Sequence, residues 1–380
     1  MNFRRIGLST IILAIVPMAA APLARPVAAS SRPAPALSAG ASPRPTPMRT
    51  PVPRPPEVAG YVWSYETSGG YYSFNSLTGS TGVSVVAVFP PGRGYFVNFA
   101  SLGAVAGGTV DVTQYGAPGT CSPALWTTNN TDWSVFVRCY SLAGARQAAL
   151  FDLAYAEPTA KPGGVLDFDL VSASGSLREY RPYQYDSSHK ANTVKHFGTG
   201  RYRISMPGPP TRGITGTVKV TPAFLASGDC EIAGWHGTSA GQVIDVDCFS
   251  VTGARQNTPF TVTYVRHDNL LGLSNLTSAY AFANRPTDAA TYRPAAQYSS
   301  HDGAFVSVTR LSRGTYVVSF HGSAGPVSTN GGDVQLSAVG SSDHHCYVLR
   351  WTTNPSAYVN CQDNSGSPAD TAFTIQWVVG

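Results

Sequence analysis

Three times the chain spells a cysteine followed five positions later by a tryptophan: CSPALW at Cys121–Trp126, CEIAGW at Cys230–Trp235 and CYVLRW at Cys346–Trp351. A second cysteine follows each (Cys139, Cys248, Cys361), then a glycine (Gly144, Gly253, Gly366), a phenylalanine (Phe151, Phe260, Phe373) and a large aromatic (Tyr155, Tyr264, Trp377), all in register. Upstream, Tyr95, Tyr202 and Tyr316 open YFVNF, YRISM and YVVSF, and GGTVDVT, TGTVKVT and GGDVQLS come next. So many coincidences mark a triplication, and any fold proposed for one copy must suit the other two. The stretch GARQAALFDLAYAE (Gly144–Glu157) has helical propensity. Its counterpart GARQNTPFTVTYVR carries proline and threonines, so a strand is predicted for both.

Alternation supports strands throughout. Phe260, Val262 and Tyr264 alternate with Thr261 and Thr263, and Ile244, Val246 and Cys248 with Asp245 and Asp247. The expected fold class is all-β, with three tandem immunoglobulin-sized β-sandwich or small-barrel domains at 58–157, 163–267 and 277–380. Each should hold one disulfide. Six cysteines allow 15 pairings, but the copies select Cys121–Cys139, Cys230–Cys248 and Cys346–Cys361. The turn-like residues midway between each pair (TNNTD, TSAGQ, TNPS) suggest that the cysteines face each other across a hairpin. The odd Cys-to-Trp spacing points the two side chains to opposite faces of a regular strand, so Trp235 faces outward unless a bulge turns it back.

Residues 1–29 read as an export signal: Arg4 and Arg5, an apolar run too short to span a bilayer, then small residues. Residues 30–57 are rich in proline and arginine and should stay extended or disordered. Export and paired cysteines predict a secreted, extracellular or envelope-associated protein with no transmembrane segment in the mature chain. The net charge of +5 misleads, because residues 1–56 hold seven arginines and no acid, which leaves the remainder at −2. That remainder has no electrostatic footprint for nucleic acid, and no such partner is expected.

No motif for catalysis, metal or cofactor survives its context. GTSAG at Gly237–Gly241 matches a nucleophile elbow, but a strand follows it where a helix is needed. HHC at His344–Cys346 and DNSGSP at Asp363–Pro368 faintly resemble protease segments and lie too close together for such an enzyme. The pairs Asp167/Asp169 and Asp245/Asp247 could serve calcium binding or acid–base work. Copy one has Phe136 and Arg138 in place of the second pair, so solvated strand faces are expected instead. No catalytic residue, metal ligand or cofactor is therefore assigned. Aromatic residues remain. Trp126, Trp235 and Trp351 recur, while Trp63, Trp133, Tyr71 and Tyr72 belong to copy one, and one of the two adjacent tyrosines should be exposed. Flat aromatic faces on a neutral β-fold suit sugar rings.

The Cys-x4-Trp, second Cys, Gly and Phe pattern over residues 58–380 resembles repeats in uncharacterised secreted proteins of actinobacteria. The resemblance implies export and modular β-architecture and carries no activity. The expected function is a non-catalytic binding or adhesion array for extracellular polysaccharide or cell envelope. The alternatives are a hydrolase with its site at a domain junction and a structural or inhibitory surface protein.

Overall fold

The computed structural model describes residues 58–380 except 69, 89–93, 104–106, 130, 159–162, 178–182, 225, 323–330 and 353. The signal and tail assignments lie outside the described residues. Those described are built from strands, with one short 3-10 turn at Gly79–Gly82 and no α-helix. None of their elements is a helix long and apolar enough to cross a membrane. Gly144–Glu157 contains the strand Leu150–Glu157, as its copy-two counterpart required.

Each copy contributes two layers of strands around one apolar core. In copy one an outer layer runs Val83–Ala87, Tyr95–Phe99, Trp133–Tyr140, Thr120–Thr128. The inner layer runs Tyr71–Asn75, Val58–Ser64, Leu150–Glu157, Thr109–Tyr115. Alternation sets which residues meet between the layers: Tyr95, Val97 and Phe99 point in, while Phe96 points out. Each copy's hairpin carries its disulfide between directly opposed residues, Cys121↔Cys139, Cys230↔Cys248 and Cys346↔Cys361. All three cross-links close loops of under twenty residues, which the chain-entropy account values at about 3 kcal/mol. A Cys230→Ser/Cys248→Ser variant should lose about that much in urea denaturation.

A bulge interrupts each of these hairpins between cysteine and tryptophan: Pro123/Leu125, Ile232/Gly234 and Val348/Arg350. The extra residue reverses the face, so Trp126, Trp235 and Trp351 turn inward opposite the core residues Val135, Ile244 and Ala357. The outward orientation expected for a regular strand does not occur.

The copies share sheets. The copy-one inner layer continues through Thr109–Tyr115 into His344–Thr352 of copy three, forming one eight-stranded sheet. The copy-three inner layer continues through Asp333–Val339 into Asp229–Thr238 of copy two, forming another. At all three junctions one backbone bond recurs: Gly116 N to Val348 O (2.8 Å), Gly340 N to Ile232 O (2.9 Å) and Phe224 N to Pro123 O (2.8 Å). The copies therefore close a ring.

At the centre of the ring the strands Thr109–Tyr115, Thr217–Pro222 and Asp333–Val339 touch one another in pairs. Each turns its valines or leucine to its own core and its polar residues to this central line. Three equivalent bonds run round it: Val112 N to Thr221 Oγ1 (3.2 Å), Val220 N to Ser337 Oγ (2.9 Å) and Leu336 N to Thr113 Oγ1 (3.1 Å). The hydroxyl residue at this position in every copy satisfies a backbone N–H that would otherwise be buried unpaired. Polar–apolar alternation in TVDVT thus reflects contact with the neighbouring copies, since these strands are buried on both faces.

Candidate functional site

The aromatic residues separate into buried and exposed sets. Trp133 is fully buried and stacks on Tyr155 at 3.8 Å. Trp126 lies under Phe224, nearly parallel at 5.3 Å, and Trp235 packs on Phe282 at 4.7 Å while donating to Thr215 O. These three present no open face; the repeated tryptophan packs one copy against the next. Tyr71 turns inward and donates to Val83 O at 2.6 Å.

The junction between copies three and one differs. Here Trp351 meets Trp63 at 4.5 Å, and Trp63 stacks on Tyr72 at 5.3 Å with 15° between planes. Tyr65 continues the cluster, 5.8 Å from Trp63 and 5.1 Å from Tyr72, and Tyr115 meets Trp63 edge-on. Tyr72 and Tyr65 are 40% and 39% exposed, and Trp63 and Trp351 are half-buried. Strand register builds the row, because Tyr72 and Trp63 are direct cross-strand partners on the edge of the eight-stranded sheet. Gly331 and Gly332 run close beneath. A β-carbon on Gly331 would lie 2.6 Å from Tyr72 Cβ, and one on Gly332 would lie 3.2 Å from Trp351 Cη2. Tyr65 and Tyr115 were not singled out from sequence. Tyr65 stands two residues beyond Trp63, on the same face if the strand continues, and that spacing was the available signal.

The carboxylate pairs do not form a cleft. Asp167 and Asp169, expected on a solvated face, are buried in the core of copy two, where the other copies place Gly60 and Val62 or Ala279 and Ala281. The burial is tolerated because the loop that follows supplies donors. Ser187 donates to Asp167 through both N (2.7 Å) and Oγ (2.8 Å), and Asn192 donates to Asp169 (3.1 Å). Burial pushes the Asp167 carboxyl up to about 7 and Asp169 well above the usual range. Asp245 and Asp247 lie on a different sheet, tied to Arg203 at 2.7 Å and Arg255 at 2.7 Å.

At the junction of copies two and three, His345 bridges Asp229 (2.9 Å) and Asp343 (3.5 Å), and Glu231 accepts from Asp343 N. Burial alone would lower the His345 pKa, but Asp229, Asp343 and Glu231 together raise it. Among the described residues, no group of three His, Cys, Asp or Glu side chains is arranged to hold a metal. The cavity on the central line, lined by Lys219, Thr113, Ser337 and Asp229, measures ≈ 40 Å³. A small-molecule pocket typically needs about 300 Å³ or more. No protein-family model, curated protein or solved structure matches the chain.

Proposed function

We propose that this is a secreted, non-catalytic binding protein that holds a sugar ring of an extracellular polysaccharide or cell-envelope polymer on the Tyr65–Tyr72–Trp63–Trp351 face. The observation that carries the reading is the nearly parallel Trp63–Tyr72 stack on a sheet edge, with Tyr72 exposed and Trp63 half-buried beneath it. Such a face buries the apolar side of a pyranose and leaves its hydroxyls hydrated or hydrogen-bonded. Three disulfides suit an oxidising compartment. Among the described residues the face occurs once, because the equivalent tryptophans at the other junctions are covered. The three copies therefore give no avidity for one polymer through this site.

The test is co-sedimentation of the intact protein with insoluble polysaccharides and purified cell wall. Tyr72→Ala should weaken binding to whichever polymer is retained by about tenfold or more, the loss typical of a well-placed aromatic anchor. Thermal stability should fall only modestly, by the loss of stacking on Trp63 and Tyr65, worth about 1 kcal/mol. Failure of the intact protein to bind any glycan would remove this reading.

A further inference from the structure

We propose that a buried carboxyl pair, Asp152 of copy one and Asp333 of copy three, is a proton-operated latch beneath the aromatic face. Protonated, it holds the two copies together; ionised, it loosens the seam on which Trp63 and Trp351 meet. The consequence for ligand binding rests on the reading of that face as the binding surface.

The argument begins with a row of side chains across the inner layer of copy one. Tyr72 pairs with Trp63, Trp63 with Asp152, and Asp152 with Thr113, so the row runs from the exposed edge to the central line. The same row reads Leu170, Thr261, Thr221 in copy two and Phe282, Thr374, Ser337 in copy three. In both of those copies the middle threonine binds the neighbouring copy. Thr261 donates to Val110 O at 2.9 Å, and Thr374 donates to Val218 O at 2.7 Å. The corresponding carbonyl at the third junction is that of Val334, and the residue facing this junction is Asp152. A carboxylic acid can donate there as threonine does; a carboxylate cannot.

Asp333 lies on the other side of the same seam, where copies one and two have Thr109 and Thr217. Both acids are buried, and among the described residues neither oxygen of Asp152 has a hydrogen-bond partner. Asp333 accepts from Gln335 (3.0 Å), which in turn accepts from Thr113 (2.8 Å) beside Asp152. Asp333 also directly follows Gly331 and Gly332, the backbone that packs under Tyr72, Trp63 and Trp351. The pair thus adjoins the aromatic cluster from both copies, Asp152 as the cross-strand neighbour of Trp63 and Asp333 as the residue after the glycines beneath it.

The titratable and charged groups facing the pair are Asp111 and Lys219 across the central line, Tyr61 and Tyr115 on the copy-one strands, and Asp268 below. Lys219 is a cation that acts on Asp333, and Asp111 and Asp229 also act on it. Burial pushes both carboxyls up, Asp333 to about 8 and Asp152 well above the usual range, with Asp333 adding to the rise at Asp152. Two ionised carboxylates in one buried seam repel each other, and opening is the relief available to them.

The test uses the intact protein without ligand. The close Trp63–Trp351 pair should give an exciton couplet in circular dichroism, identified by its loss in Trp351→Phe. In the wild type the couplet should weaken between about pH 5 and about pH 9 as the pair ionises. Asp152→Thr places in copy one the residue that copies two and three carry, and its couplet should hold across that range. Asp333→Thr should do the same. A wild-type couplet independent of pH, or one that titrates equally in both variants, overturns the latch. Polysaccharide affinity, measured in parallel, should fall about tenfold from pH 5 to pH 9 in the wild type and stay level in Asp152→Thr, within the usual range of coupling between sites. A titrating couplet with no glycan bound at any pH supports the latch and removes the binding reading. A titrating couplet with pH-independent affinity overturns the link between them.

Discussion

Lys219→Ala should cost about 3–5 kcal/mol at neutral pH, the loss expected when a buried charge loses the opposite charge that offsets its burial. Lys219 sits on the central line, 4% exposed, and donates to Val220 O at 3.1 Å and Leu336 O at 2.9 Å. Burial lowers it to about 8, against the pull of Asp111; burial raises Asp111 to about 6, against the pull of Lys219. Between those values both are charged, and each makes the other tolerable. Alanine leaves Asp111 with only threonine hydroxyls and takes one of two donors from each of two carbonyls in different copies, which keep Ser337 Oγ and Thr113 Oγ1. Urea denaturation at pH 7 and at pH 5 tests this. The loss should shrink at pH 5, where Asp111 takes up a proton. An Asp111→Asn/Lys219→Met double variant should lie much nearer the wild type. A loss under about 1 kcal/mol at pH 7, typical of an exposed ion pair, would show that the pair is not a buried one.

Folding stability should be greatest in mild acid and fall by several kcal/mol as the pH rises to about 8. Glu157 and Asp333 are pushed up to about 8, Asp167 and Glu231 to about 7, and Asp152 and Asp169 well above the usual range, all chiefly by burial. In the unfolded chain these groups ionise near pH 4. Below that value both states are protonated and burial carries no charge penalty. Above it the unfolded state releases protons that the folded state retains, so stability declines until the folded values are passed. The raised His345 acts in the same direction, because its favourable pairing is lost as the pH climbs through its folded value. Lys219 works oppositely, since its lowered value favours the folded state above about pH 8. Asp363 and Asp370 are lowered, by Ser365 and Arg310 respectively, and their contribution disappears only in strong acid. Denaturation midpoints measured from pH 4 to 9 should therefore decline through neutrality; a midpoint that climbs from pH 5 to pH 8 would contradict the buried-acid account.

The strands and disulfides were legible because they are local. Alternation marks a pleated strand, and cysteines symmetric about a turn can face only one partner. The tryptophan's direction was not legible, since a single inserted residue, Ala233 and its counterparts Ala124 and Leu349, reverses a face without leaving a fixed letter in the sequence. Asp167 and Asp169 were misread for a related reason. Alternating polar residues describe two chemically distinct faces, yet the spacing does not say which face is wet. The donors that permit their burial, Ser187 and Asn192, lie about twenty residues away on another loop. Of the aromatic site, Trp63, Tyr72 and Trp351 were candidates from the sequence. Their meeting depends on the junction of copies three and one, which tandem order along the chain does not reveal.

At the middle of the central line the three copies place different residues at one equivalent position: Asp111, Lys219 and Gln335. Three identical copies would bring three acids, or three ammonium groups, together in a buried space, and neither arrangement is tolerable. One of each is electrically balanced. The seating plan of the ring is consequently written in charge, and the copies have ceased to be interchangeable parts. Moving copy two into the place of copy one would leave two lysines facing a glutamine.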